Sequence, residues 1–414
     1  LETVKDTLMH EPERFIKLLT VPNNAGFTPL QHVLISGHPE NLRLYLETVK
    51  DTLMHEPERF IKLLTVPNNA GFTPLHDVLK SGQQENVKLY LETIKEALAD
   101  VPEQYVELLT ASTEDGFTPL HEVLISGDPR NVRLYLQTVN EALADSSERL
   151  IQLLISPNKD GFTPLHEVLI SGHPENVKIY LEAVKEALVN DPDRYIRLLT
   201  MPNKADFTPL HEVLITGNPE NVKSYLETVK EVLAQDQARY IKLLTAVNKG
   251  GCTPLHEVLQ SGNPVSLAIY LETIKPFIKK IGINFLIQKN QAGYNSFHQV
   301  AGSGNIESLN LMLDFIKVNF PETANDIITK LLWSKTRNDY LPTCQMQVTG
   351  SNKMNFYLMD LRKIYSQKET HVREQDRKRP NEARQYCFQF HAKRQKKVHY
   401  NEYYKERSER SHKK

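Results

Sequence analysis

Cysteine is scarce in this chain: Cys252, Cys344 and Cys387 are the only three in 414 residues, and no two lie close together. An odd, scattered set excludes a disulfide framework and a thiolate zinc site, and it suits reduced thiols in a cytosolic or nuclear setting. No run of about 18 apolar residues occurs, so no membrane-spanning helix is expected. Neither a glycine-rich phosphate loop nor a Gly-x-Ser-x-Gly elbow is present, which removes two common catalytic frameworks and any call for a cofactor. Alternation with period two is missing as well, so strands are not expected. What remains is an all-α chain without visible catalytic machinery.

What the chain does have is a repeat. Thr28, Thr73, Thr118, Thr163, Thr208 and Thr253 each open the phrase Thr-Pro-Leu, 45 residues apart, and residues 1–30 recur unchanged as residues 46–75. A period of this size marks a solenoid, in which no unit buries its apolar face alone and stacked neighbours build one long core. Leu1 corresponds to Leu46, inside a predicted helix. The expectation is a chain cut from a longer protein, with any targeting segment or catalytic domain upstream lying outside it.

One unit, residues 160–204, illustrates the reading. Asp160-Gly161 is a turn signal. Thr163 suits a helix N-cap, Pro164 the first helical position and Gly172 the C-terminal stop. A second helix is predicted over Glu175–Val189, with Val177, Leu181, Val184 and Leu188 on one apolar stripe. Asn190-Asp191-Pro192 breaks it. A third helix, Asp193–Thr200, turns Tyr195, Ile196, Leu198 and Leu199 to the core. Near the C-terminus the phrase degenerates, to Gly293-Tyr294-Asn295-Ser296-Phe297-His298 and then Asp339-Tyr340-Leu341-Pro342. These two units read as caps, making residues 1–365 the solenoid and residues 366–414 a basic tail, part disordered or helical.

Gly-x-Thr-Pro-Leu-His, a glycine seven residues after the leucine, and an apolar Val…Tyr-Leu helix resemble the ankyrin repeat. The usual ankyrin unit has about 33 residues. The 12 added here lengthen the second helix and supply the third, where ankyrin repeats place a β-turn finger. Three-helix units of this length also resemble armadillo repeats, which lack the phrase. Long, recently duplicated ankyrin-like units look like those of proteins that intracellular bacteria deliver into host cells. The resemblance implies protein binding through the concave face.

His76, His121, His166, His211, His256 and His298 form a column. Stacked helices lie about 8–10 Å apart, whereas zinc needs ligands at about 2.0–2.1 Å, so neighbouring imidazoles cannot share an ion. The resemblance to ankyrin units implies a structural role instead, bonding near the Thr hydroxyl and the adjoining backbone. His121-Glu122-Val123-Leu124-Ile125 is not a zinc-protease helix, because Ile125 stands where the second histidine belongs. The residues after the histidines, Asp77, Glu122, Glu167, Glu212 and Glu257, form a carboxylate row, and Ile125, Ile170 and Ile215 lie three positions further on. Together they are expected to line an amphipathic groove for a basic, partly apolar protein segment. The competing reading puts the isoleucines in the core beneath the third helix.

The charge is uneven. Residues 362–414 hold 17 Lys+Arg against 7 Asp+Glu, leaving 33 against 44 in residues 1–361. Arg377, Lys378, Arg379 and then Lys393, Arg394, Lys396, Lys397 resemble a bipartite nuclear-import signal. Interleaved aromatics such as Phe388 and Tyr400 raise nucleic-acid binding as a weaker alternative; a plain cap, or a tail lying on its own acidic groove, are others. The expected function is a monomeric, non-catalytic scaffold or adaptor in the cytoplasm or nucleus, plausibly a bacterial protein working inside a host cell. The alternative is the substrate-recognition region of an enzyme whose catalytic domain lies upstream.

Overall fold

In a computed structural model, residues 11–343 and 352–365 are described. The basic tail, with Arg377, Lys378, Arg379, Lys393, Arg394, Lys396 and Lys397, lies outside them, as does Cys344. Helices are the regular structure of the described residues, with no strand among them, and none of these helices is long and apolar enough to cross a membrane. The chain divides into two compact parts, Leu1–Leu198 and Leu199–Lys414.

Each unit holds three helices. In the best-formed case they are Pro119–Ser126, Pro129–Ala142 and Ser147–Ile155. The first starts where local chemistry says it should. Thr118 is extended and caps the helix, Pro119 fills the position that needs no N–H, and Gly127 stops it at φ 92°, a left-handed conformation that costs glycine little. The same start and stop recur at Pro74–Ser81 and Pro164–Ser171 in the first part and at Pro209–Thr216 and Pro254–Ser261 in the second. At Ser296–Ser303, Asn295 takes the threonine's place and Gly304 the stop.

Within each part the units pack in series. Successive first helices pack on one another, as do successive second helices. Third helices of the first part pack against the second helix of the next unit, as Pro57–Thr65 does on Gln84–Ala97. The stripe Val177, Leu181, Val184 and Leu188 is interior, with Tyr195, Leu198 and Leu199.

The third helix does not displace the turn between units. Asn68 and Phe72 close a tight loop, with Asn68 N–H donating to the Phe72 carbonyl and Gly71 N–H to the Asn68 carbonyl. The Asn68 side-chain oxygen accepts from Ala70 and Phe72 N–H at 3.0 and 3.1 Å. Each turn then donates one backbone bond to the turn before it: Asn69 N to Ala25 O, Glu114 N to Ala70 O and Lys159 N to Asp115 O at 2.8–3.2 Å in the first part. In the second part Lys249 N donates to Ala205 O and Gln291 N to Gly250 O.

The turn needs a left-handed residue in a tight place. Gly71 has φ 84°, and a Cβ there would sit 2.8 Å from the Glu114 nitrogen. At the same position in the second part the chain uses Asp206, at φ 59°. A side chain in this region costs on the order of 1 kcal/mol relative to glycine. Asp206→Gly should therefore raise the thermal unfolding midpoint, and Gly71→Ala should lower it by a larger amount, both read by calorimetry on the same chain.

Candidate functional site

The most strongly patterned polar groups lie on the first helices, and they begin at the cap. Thr118 N–H donates to His121 Nδ1 at 3.2 Å, and the Thr118 hydroxyl lies 2.8 Å from the same nitrogen. Since Nδ1 accepts from the backbone, the proton sits on Nε2, which donates to the Phe162 carbonyl of the next unit at 3.3 Å. His76 reaches Phe117 O in the same way at 3.2 Å. In the second part His211, His256 and His298 reach the carbonyls of Cys252, Tyr294 and Tyr340 at 3.1–3.3 Å. Gln31 does the same with an amide: its oxygen accepts from Thr28 N–H and its nitrogen donates to Phe72 O, both at 3.0 Å. The expected structural role of the column is what the geometry shows. Burial lowers the imidazoles of His76, His121, His256 and His298 to about 4, so they stay neutral. No group of ligands able to hold a metal ion occurs among the described residues.

A second column was not anticipated. Tyr90 and Tyr135 are fully buried, and each hydroxyl donates at 2.6 Å to a carbonyl at the end of the preceding third helix, Leu64 and Leu109. Tyr180 does so to Leu154, and in the second part Tyr225 and Tyr270 to Leu199 and Leu244. The last carbonyls of a helix have no partner within it, and the tyrosine supplies one. The 45-residue spacing of these tyrosines was visible in the sequence; the carbonyl they reach was not.

The carboxylate row requires a correction. Asp77, Glu122, Glu167, Glu212 and Glu257 are all buried and do not line an open groove. Asp77 accepts from Gln31 of the preceding unit at 2.9 Å, so this position looks into the stack. Asn248 donates to Glu257 at 3.1 Å, and Asn203 to Glu212 at 3.5 Å: in these two units the asparagine that closes the turn also holds the carboxylate nine residues on. The third unit has Thr113 at the asparagine's position. Thr113 keeps the turn bond, accepting from Phe117 N–H at 3.1 Å, but carries no amide donor. Both Glu122 oxygens are buried without a hydrogen-bond partner. Burial raises the Glu122 carboxyl to about 7, moderated by the Lys80 ammonium, and raises Asp77 to about 8, moderated by Gln31 and Lys80. Lys80 is itself lowered by burial and held up by Glu122 and Asp77.

Ile125, Ile170 and Ile215 are neither core nor fully open. Each is half-buried at the end of its first helix, beside Ser126, Ser171 and Thr216. They are therefore separated from the carboxylates with which they were expected to form one surface.

No protein-family model matches this sequence, and no curated protein is similar to it.

These environments set opposing pH dependences. The histidines, lowered from 6.5 to about 4, contribute stability that is complete above 6.5 and lost as pH falls toward 4. Asp77 and Glu122, raised from 3.8 and 4.5 to about 8 and 7, contribute stability that is complete below their unfolded values and lost as pH rises through the folded ones. Unfolding free energy should peak near pH 6.5 and decline on both sides, as denaturant titrations across pH 4–9 would show. Thr113→Asn should give Glu122 the donor that Glu257 has, adding about 1 kcal/mol. Glu122→Gln should flatten the alkaline decline in the same titrations.

Proposed function

We propose that the chain is a protein-binding scaffold built from ankyrin-like units, and that its binding surface is the row at the C-terminal ends of the first helices rather than the carboxylate row. The observation that carries this reading is the division of each first helix into a buried and an accessible portion. In the third unit Pro119 through Leu124 are interior, whereas Ile125 and Ser126 reach the surface. Lys80–Ser81 and Ile170–Ser171 repeat the arrangement in the first part, as do Ile215–Thr216 and Gln260–Ser261 in the second.

A row of half-buried isoleucines beside small hydroxyl side chains suits the apolar side chains of an extended or helical segment. The acidic balance of residues 1–361, 44 Asp+Glu against 33 Lys+Arg, favours a basic segment and speeds its approach. The histidine, tyrosine and carboxylate columns serve the stack, whereas this row is a repeated apolar feature that a partner can read.

Affinity capture from a eukaryotic lysate tests the surface, comparing the native chain with Ile125→Glu/Ile170→Glu. Both positions are accessible, so the variant should keep the native circular dichroism while losing the captured partner, with affinity for the purified partner falling about tenfold or more. Identical capture by both chains would remove the row from consideration. Charge reversal at Glu122 or Glu167 is not an equivalent test, because an ammonium buried there would unfold the unit.

A further inference from the structure

The unit that begins at Thr253 breaks the period. His256 and His298 are 42 residues apart, where the earlier histidines of the column are 45 apart. Its second helix, Pro264–Ile274, has 11 residues against 14 in Pro219–Val232. Pro276 stands at the position of Glu231 and lacks the N–H that would continue the helix. Its third helix is cut to Ile283–Ile287, five residues against eight in Gln237–Leu244. Beside this short helix lies a cleft of about 340 Å³, lined by Ile241, Thr245, Lys280, Ile281, Phe285 and Gln288.

The charge changes at the same place. Glu103, Glu148 and Asp193 stand in the first turns of earlier third helices, and Ala238 holds that position here. Asp100 and Asp145 stand where this unit has Lys280. Residues 242–289 hold 6 Lys and no Arg against 2 Glu and no Asp, within an otherwise acidic solenoid. Neither glutamate offsets the lysines: Glu257 is buried against Asn248, and Glu272 pairs with Lys275 at 3.0 Å. Lys242, Lys249, Lys279, Lys280 and Lys289 are all exposed.

We propose that this cleft takes one large apolar side chain from an acidic segment of a partner protein. Ile241, Ile281 and Phe285 form the wall for the anchor, Thr245 and Gln288 offer hydrogen bonds, and Lys280 receives a carboxylate. Ligand cavities run from about 300 to 1,000 Å³, so this one has room for a single anchor. Charge complementarity sets the sign of the segment around it. Exposed lysines contribute little singly; the anchor holds the segment and the lysines steer it. Two features favour a peptide over a nucleic acid. The basic groups of residues 242–289 are all lysines, whereas arginine is the side chain that forks onto phosphate. Phe285 is the one aromatic ring in the lining and is 6% exposed, which gives successive bases no platform to stack on. The cleft lies beside third helices and selects an acidic segment, so it stands independently of the isoleucine row.

A displayed library of random dodecapeptides, selected on the full chain, tests this. Enriched peptides should combine a net negative charge with one Leu, Phe or Trp, and their affinity, read by fluorescence polarisation, should fall as salt is raised. Lys279→Glu/Lys280→Glu should weaken the synthesised peptides about tenfold or more. Ile281→Ser, which leaves the charge unchanged, should also weaken them about tenfold. Lys17→Glu/Lys62→Glu, a charge reversal of equal size at exposed positions elsewhere, should change nothing. Circular dichroism of each variant should match the native chain. Selection that yields no acidic peptides, or acidic peptides that bind Lys279→Glu/Lys280→Glu or Ile281→Ser as tightly as the native chain, would overturn the proposal. So would a single-stranded oligouridylate that binds more tightly than the peptides and is lost in the same variants.

Discussion

The stack depends on side chains shared between two backbones, an imidazole in most units. One ring nitrogen holds the N-terminus of its own first helix through Thr118 N–H and hydroxyl; the other holds the carbonyl of the following turn. An N-cap alone is worth about 1 kcal/mol. Here it is tied to register, since His121 cannot meet both partners unless the next turn lies one unit away. Gln31 makes the same two bonds with an amide, so the requirement is an acceptor and a donor at fixed separation rather than a titratable ring.

Other buried polar groups extend this connection across the unit. Tyr135 reaches back to the end of a third helix, and Asn248 joins its own turn to the carboxylate of its first helix. Burying a polar group costs unless it is hydrogen-bonded; Tyr135 meets that cost at a helix-terminal carbonyl, which has no partner within its helix, and Asn248 at a carboxylate. Glu122, like the amides of Asn86, Asn176 and Asn221, is buried without such a bond; at Glu122 the cause is one residue, threonine in place of asparagine at position 113, which removes the donor while leaving the turn intact. Lys80, from the unit before, brings a positive charge to the site instead. Duplicated units have here diverged at paired positions, and the electrostatics of the stack are no longer uniform along it.

The helices were legible from the sequence because their signals are local. Thr163-Pro164 and Gly172 bound the first helix of their unit, and Pro192 opens the third one position before the sequence reading began it. The apolar stripe from Val177 to Leu188 was likewise legible, since helical spacing alone puts those side chains on one face. The stacked turn was not: an added third helix suggested a replacement, whereas Asn68 and Gly71 keep their own loop and pass a bond to the turn before.

The candidate site divides the same way. Sequence by itself determined the period and, to within one or two residues, the helix boundaries, because capping and helix termination act over a few residues; repeat spacing also ruled out a shared metal ion between neighbouring histidines. Only the tertiary structure decided that Asp77 and Glu122 look into the stack while Ile125 stands at its edge. Helical periodicity gives the angle of a residue about its own axis but not what packs against that angle. Leu18, 57% exposed, and Leu63, 3% exposed, make the point with identical sequence: exposure belongs to the neighbour a residue meets, and the neighbour is supplied by the fold.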